Sequence, residues 1–434
     1  MANTTTPFRF TGWIFIILCV FLSAFSIWGL STVPFHPDES TFLFMSNDFD
    51  TFLNDPASLA WTVDNRFDEK QHYREIDAPL NRYILGIGRS LSGISSLQVD
   101  WDWSKSWEEN RQAGALPDAG LLYAGRLSVV LLLPFSLFLM YVIGIQISNP
   151  LCGLFAALLL GTNALILLHG RRAMAEGPLV FGFLFALWSF IGGNRRPWLA
   201  GIGMALAFNA KHSAITLLPV GFLSVYWSTK FTTNRFLRAI WIGGQYLVVF
   251  IVITLALNPY LWRHPGQALQ ASWTSRQELL SNQLADTLRL APEQALLTPV
   301  KRIASMVINL FIAPPAFSEA DNYREQTNAS EETYLSIPLN NLMRNMVGGG
   351  IMLMMTVFGL VSATLHLRQS PLDKRRAIVL ILLATIAQAI TVIFFIPLPW
   401  QRYVIPLVPL ICIWAAYSIS LVLELLYNLV LRQS

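Results

Sequence analysis

The chain has 434 residues, of which 54% are hydrophobic and 13% charged, and its formal net charge is +4. A soluble globular domain carries about 25% charged residues, so the composition excludes a water-solvated protein of this length. The small net charge is not a nucleic-acid signature, and the chain is predicted to be solvated largely by lipid.

Long apolar runs recur along the sequence. A helix needs about 20 apolar residues to cross the hydrocarbon core of a membrane, so these runs predict an all-α polytopic protein with about ten transmembrane helices. The first run is interpreted as a retained helix because it lacks a clear small-x-small cleavage site. The predicted spans are 12–31, 121–146, 150–168, 177–193, 197–210, 213–229, 237–257, 346–366, 377–397 and 403–428.

Lysine and arginine in the short connections predict the orientation, because such residues favour the cytoplasmic side. With a cytoplasmic N-terminus and ten crossings, both termini are cytoplasmic. The cytoplasmic segments then hold Arg9, Arg195, Arg196, Lys230, Arg235, Arg238, Arg368, Lys374, Arg375, Arg376 and Arg432.

The outer side holds two large loops, 32–120 and 258–345, in what we expect to be a single membrane domain over 1–434. All Asp and Glu residues except Asp373 and Glu424 fall on this side. Within the first loop, 38–53 and 79–91 mix aromatic, aliphatic and polar residues, which predicts helices in the membrane interface. The tryptophans at 101, 103 and 107 either anchor this loop at headgroup level or pack within it.

The run Phe35-His36-Pro37-Asp38-Glu39 directly follows the first predicted helix on the outer face. Proline favours the first position of a helix, and acids are stabilised in its first turn. One interpretation is therefore that Asp38 and Glu39 merely begin a helix. The functional alternative is that Asp38 acts as a general base at the mouth of the helix bundle.

Three further clusters place charges on the same face. Arg82 follows Asp77 and faces either lipid headgroups or a bound phosphate. A short outer loop retains Arg171 and Arg172 against the positive-inside tendency, beside Glu176, which indicates either phosphate binding or a local ion pair. Lys211 and His212 form the third cluster. Separately, Arg402 adds positive charge at the outer end of the last helix.

These motifs resemble those of the GT-C superfamily of polytopic glycosyltransferases. The resemblance is to the protein O-mannosyltransferase branch, which includes bacterial aminoarabinose transferases that modify lipid A. The matching runs are His36-Pro37-Asp38-Glu39, Asp77-Ala78-Pro79-Leu80, Arg172-Ala173-Met174-Ala175-Glu176, Ala207-Phe208-Asn209-Ala210-Lys211-His212 and Arg402-Tyr403-Val404-Ile405-Pro406-Leu407. The family often has a second proline and a basic residue near position 78, and Arg82 is expected to take the basic role here. Segment 266–345 matches no motif of the family.

The resemblance implies transfer of a hexosyl or pentosyl group from a polyprenyl-phosphate-sugar donor to a lipid, glycan or protein hydroxyl, with inversion. It also implies a multi-pass protein of the bacterial inner membrane. The pattern neither requires nor excludes a divalent metal, since one acid pair with a distant Glu is thin coordination. The candidate catalytic residues are Asp38, Glu39 and Glu176, the candidate phosphate ligands are Arg82, Arg171, Arg172, Lys211 and Arg402, and His36, Asp77 and His212 are expected in the same pocket.

Two other classes of protein fit the spans. A transporter or lipid flippase would show intramembrane charges, broken helices and internal repeats, none of which is clear in the sequence. A non-catalytic membrane scaffold would explain the outer loops but leaves the clustered acids and arginines without a role.

Overall fold

The structure is a computed structural model that describes residues 10–65, 68–193, 196–227, 235–319 and 323–433. Every regular element in these ranges is a helix. Arg9, Arg195 and Lys230, which entered the prediction of orientation, lie outside the described residues.

The helices follow one another with short connections. The first half of the chain forms α1 (Thr11–Trp28), α2 (Pro37–Met45), α3 (Asp48–Asn54), α4 (Glu69–Ile76), α5 (Pro79–Leu91), α6 (Trp107–Gln112), α7 (Ala119–Val130), α8 (Leu133–Ile147), α9 (Pro150–Gly161), α10 (Ala164–His169), α11 (Glu176–Ile191) and α12 (Pro197–Ala210). The second half forms α13 (Leu218–Tyr226), α14 (Arg235–Leu257), α15 (Pro265–Leu290), α16 (Pro299–Val307), α17 (Arg324–Leu335), α18 (Met346–Leu365), α19 (Leu372–Phe395) and α20 (Val408–Gln433). Short 3₁₀ segments at His212–Leu217 and Gln401–Leu407 lead into α13 and α20.

The apolar helices confirm the polytopic membrane architecture. Within the described ranges, six are long and apolar enough to cross a membrane by length and composition: Thr11–Thr32, Ala119–Ile147, Leu237–Leu257, Met346–Arg368, Leu372–Phe395 and Gln401–Val430. Four shorter apolar helices are Pro150–Gly161, Glu176–Ile191, Pro197–Ala210 and His212–Tyr226. Each of these ten corresponds to one predicted span.

Small residues bring the membrane helices close together. A Cβ atom added at Gly359 on α18 would collide with the backbone of Trp414 on α20, and one added at Gly144 on α8 would collide with the backbone of Gly153 on α9. In lipid, helices associate mainly by such close packing, since lipid tails are as apolar as leucine. The side of α1 that carries Trp13 is exposed, as a lipid-facing surface requires.

The two outer loops pack against each other and form a helical cap. The backbone N–H of Trp61 donates to the carbonyl of Tyr260 at 3.0 Å, and Ser275 on α15 donates to Glu75 on α4 at 2.6 Å. Helix α2 is enclosed in this cap, where most of its side chains are buried.

The three tryptophans of the first loop pack against other aromatic rings. Trp101 contacts Trp103, Trp107 and Phe35, and Tyr323 of the second loop completes the cluster. Of the two arrangements considered for these tryptophans, packing within the cap is the one that the structure displays.

Candidate active site

The N-terminus of α2 separates its two acids. Pro37 occupies the first helical position, and the Nδ1 atom of His36 accepts a hydrogen bond from the backbone N–H of Asp38 at 3.1 Å. Glu39 returns a carboxylate oxygen to the backbone N–H of His36 at 3.1 Å, which completes a capping box. Because successive helical residues point about 100° apart, Asp38 and Glu39 face different surroundings.

Glu39 points into the protein, where its side chain is 0% exposed. It accepts two hydrogen bonds from the Arg126 guanidinium, at 2.8 and 2.7 Å, and one from the backbone N–H of Ala173 at 2.9 Å. Burial raises the pKa of Glu39, but Arg126, Arg172 and the backbone N–H of Ala173 together outweigh it, so the pKa lies below its usual value. Glu39 therefore ties α2 to α7 and to the loop before α11.

Asp38 points outward, with 21% of its side chain exposed. Its carboxylate pairs with the guanidinium of Arg402, and the Nε atom of Arg402 lies 3.4 Å from the Oε1 atom of Glu319. Asp38, the partly exposed acid of the motif, therefore pairs with an arginine from the last membrane-spanning segment.

Glu319 also contacts His36, whose Nε2 atom lies 2.6 Å from its Oε2 atom. Because Nδ1 of His36 accepts from the backbone, Nε2 carries the proton and donates to Glu319. Burial raises the pKa of Glu319, but Arg402 and His36 outweigh it and hold the pKa well below its usual range. His36, Glu319, Arg402 and Asp38 form a continuous chain of polar contacts, which we call the acid–arginine network.

A second ion pair lies beside this network. The Nζ atom of Lys211 donates to the Oε1 atom of Glu176 at 2.9 Å. The side chain of Lys211 is 21% exposed, whereas that of Glu176 is 3% exposed. Lys211 and Arg402 each lie 6.0 Å from the ring centroid of Tyr403, so one aromatic ring connects the two cations.

Three of the predicted phosphate ligands are buried and bound to other protein groups. Arg82 donates to Asp48 at 2.9 Å and to the carbonyl of Asp77 at 3.1 Å. Arg171 donates to Asn340 at 2.9 Å. The contacts of Arg172 are the backbone carbonyls of Phe317 at 2.7 Å and Pro34 at 3.3 Å.

Asp77 and His212 lie at the edge of the site. Burial raises the pKa of Asp77 above its usual value; the charges of Arg276 and Arg82 act in the opposite direction, and the charge of Asp38 adds to the rise. His212 packs against the ring of Phe208, with 5.0 Å between centroids. The charges of Arg276 also act on His212, so α15 contributes a cation to this edge.

Several residues of the site escaped the sequence analysis. Glu319 and Arg276 come from the second outer loop, and Arg126 comes from α7. Arg126 offered no motif signal, because a single arginine at the outer end of a predicted membrane helix is common. Among the described residues, no three His, Cys, Asp or Glu side chains are grouped so that they could hold a metal ion.

The arrangement can support proton transfer and binding of an anion at one place. Asp38 is a partly exposed carboxylate that can accept a proton. Arg402 and Lys211 are partly exposed cations of the kind that bind phosphate. The surrounding buried ion pairs fix the helix ends that carry these three side chains.

No protein-family model matches the sequence, and no curated protein matches it. Solved structures do match. The Archaeoglobus fulgidus oligosaccharyltransferase in its apo form has a TM-score of 0.53 and 11% identity, over 97% of this chain and 52% of that one. ArnT from Cupriavidus metallidurans, bound to undecaprenyl phosphate, has a TM-score of 0.53 and 14% identity, over 94% of this chain and 60% of that one.

The chain therefore spans between half and two thirds of the length of these two proteins. At such low identities the likeness concerns the fold. Both are GT-C glycosyltransferases. The chain shares the polytopic membrane fold of these two proteins, which agrees with the fold that its motifs predict.

Proposed function

We propose that this protein is a membrane glycosyltransferase that moves a sugar from a polyprenyl-phosphate donor to an acceptor hydroxyl. The observation that carries the proposal is the acid–arginine network, in which the partly exposed Asp38 meets Arg402 beside the Lys211–Glu176 pair. A proton acceptor next to two cations suits a reaction in which a hydroxyl attacks and a phosphate leaves.

In the proposed reaction, the acceptor oxygen attacks the anomeric carbon as the bond from that carbon to the phosphate oxygen breaks. The hydroxyl proton passes to the Asp38 carboxylate, and the bonding electrons leave with the lipid phosphate, which gains one negative charge. Attack from the face opposite the phosphate inverts the anomeric configuration. Arg402 and Lys211 stabilise the growing charge, most strongly where water is excluded.

The pairing of Asp38 with Arg402 gives the donor a second role. Arg402 already contacts two carboxylates, those of Asp38 and Glu319. A donor phosphate that binds Arg402 competes with Asp38 for the same N–H groups. Binding of the donor therefore frees Asp38 to accept a proton from the acceptor.

The buried charges take supporting roles in this proposal. The carboxylate of Glu39 is not available to a substrate, because it accepts hydrogen bonds from Arg126 and from backbone N–H groups. Arg82, Arg171 and Arg172 are likewise bound to protein groups, so we assign them to the position of the loops rather than to the phosphate. Glu176 positions Lys211.

The proposed setting is a bacterial inner membrane, with both termini in the cytoplasm and the outer loops on the opposite side. Arg375 and Arg376, between α18 and the apolar part of α19, support this orientation. The undecaprenyl phosphate bound to ArnT from Cupriavidus metallidurans supports a polyprenyl-phosphate donor. The sugar is a hexose or pentose, and the acceptor is a lipid, glycan or protein hydroxyl.

The test is transfer from a radiolabelled polyprenyl-phosphate sugar by purified protein in liposomes. Loss of a general base costs about 10²–10⁴-fold, so Asp38→Asn should lower kcat by that factor and keep the protein folded. The matched control is Glu325→Gln, because Glu325 is an exposed acid on α17 of the second loop. Wild-type kcat in Asp38→Asn would remove Asp38 from the mechanism. Absence of transfer from every such donor, with movement of lipid between leaflets, would favour a flippase.

A further inference from the structure

A small cavity lies behind the Lys211–Glu176 pair. Its volume is about 20 Å³, and α7, α10 and α11 contribute to its walls. The polar residues that line it are Ser26, Ser136, His169, Arg171 and Glu176. The rest of the wall is mostly apolar.

The polar groups in this wall include buried atoms without a hydrogen-bond partner among the described residues. Both ring nitrogens of His169 are of this kind, as are the Oε2 atom of Glu176 and the Oγ atom of Ser26. The side chains of His169 and Glu176 are 1% and 3% exposed. The Nε atom of Arg171 is a further atom of this kind. Leaving a buried polar group without a partner is costly, and four residues at one cavity share that cost.

The volume and chemistry of the cavity fit one water molecule. A water needs about 10–15 Å³ and two to four polar partners, and purely apolar cavities stay dry. A neutral imidazole offers one N–H donor and one acceptor nitrogen, so a water can accept from His169 and donate to the Oε2 atom of Glu176. The hydroxyl of Ser26 supplies a further partner.

We propose that this cavity binds a structural water that links His169 to Glu176, and that His169 is a positioning residue for Lys211. The Oε1 atom of Glu176 already accepts from Lys211 at 2.9 Å. A bond from the water to Oε2 holds the second oxygen, and so fixes the rotation of the carboxylate. The Nζ atom of Lys211 is then directed toward the ring of Tyr403, which Arg402 also approaches.

The consequence for turnover rests on the proposed function, whereas the water site does not. Lys211 acts on charge that develops as the phosphate leaves, so a misdirected Lys211 lowers kcat more than it raises KM. Loss of a side chain that orients a functional group typically costs about tenfold or more.

The test combines an experimental structure with three variants. A map of the wild-type protein that resolves ordered waters should show density between His169 and Glu176. His169→Phe removes both ring nitrogens and should lower kcat about tenfold, with KM changed less than about twofold. His169→Gln keeps a donor and an acceptor and should recover most of kcat. His72→Phe is the matched control, because the side chain of His72 is 51% exposed on α4.

Density for a water, loss in His169→Phe and recovery in His169→Gln support the proposal together. A wild-type map without a water at this position overturns the water site, whether or not the protein transfers sugar. Wild-type kcat in His169→Phe overturns the positioning role. If the wild-type protein transfers no sugar but the water is present, the proposed function fails while the water site stands.

Discussion

The ion pair between Glu39 and Arg126 distinguishes a structural carboxylate from a catalytic one. Glu39 accepts four hydrogen bonds, two from Arg126 and one each from the backbone N–H groups of His36 and Ala173. Glu39→Gln removes the negative charge and places an NH₂ group against N–H donors. Arg126, which is also buried, is then left as an uncompensated cation.

Breaking a buried pair in this way costs about 3–5 kcal/mol, so Glu39→Gln should lower the free energy of unfolding by that amount. The assay is unfolding of the purified protein in detergent, with Glu325→Gln as the control. A double replacement, Glu39→Leu with Arg126→Leu, removes both charges and should recover a large part of the loss. Recovery will be incomplete, because Arg126 also donates to the carbonyls of Leu30 and Val33.

Transfer activity completes the distinction. At temperatures where Glu39→Gln stays folded, its kcat should fall less than about tenfold, well short of the loss expected for Asp38→Asn. If the free energy of unfolding of Glu39→Gln equals that of the wild type, the structural role of Glu39 is refuted. A folded Glu39→Gln protein as inactive as Asp38→Asn would refute the division of labour between the two acids.

Two further predictions concern the second loop and the pH dependence of stability. Glu319→Gln removes a negative charge beside Arg402, together with the charged acceptor of His36. Because a charged hydrogen bond is worth about 1.5–3 kcal/mol, kcat should fall at least tenfold in the transfer assay. An unchanged kcat would exclude Glu319 from the site. Burial raises the pKa of Asp100 to about 6 from 3.8, despite a hydrogen bond from Tyr73. The folded protein therefore keeps this proton up to a higher pH than the unfolded chain does. The resulting stabilisation is complete below pH 3.8 and is lost as the pH rises through 6. Asp100→Asn mimics the protonated acid. Its free energy of unfolding should exceed that of the wild type by about 2–3 kcal/mol at pH 8 and should nearly equal it at pH 3.5. An equal difference at both pH values would contradict this assignment.

The membrane helices could be predicted from the sequence because each apolar run carries its own signal. The predicted span and the helix coincide even for the short α12, whereas the span predicted at 150–168 is divided after Gly161 into α9 and α10. The start of α2 was also readable, since proline and two acids mark a helix N-terminus. The same pattern contains the capping box from His36 to Glu39, which binds the Glu39 carboxylate to the backbone N–H of His36.

The partners of these residues could not be predicted, because they come from distant parts of the chain. Glu319 reaches His36 across 283 positions, and Arg402 reaches Asp38 across 364. The arginines of the loop before α11 show a related limit. Their departure from the positive-inside tendency indicated a special role, but Arg171 and Arg172 are buried against Asn340 and backbone carbonyls, which only the fold brings near.

The most direct test of the proposed site is an experimental structure of the protein with a bound polyprenyl phosphate. We expect phosphate oxygens about 2.7–2.9 Å from the guanidinium of Arg402 and from the Nζ atom of Lys211. The Asp38 carboxylate should have left Arg402 and should face the ligand. A phosphate bound elsewhere, with the pair of Asp38 and Arg402 intact, would contradict the proposed site.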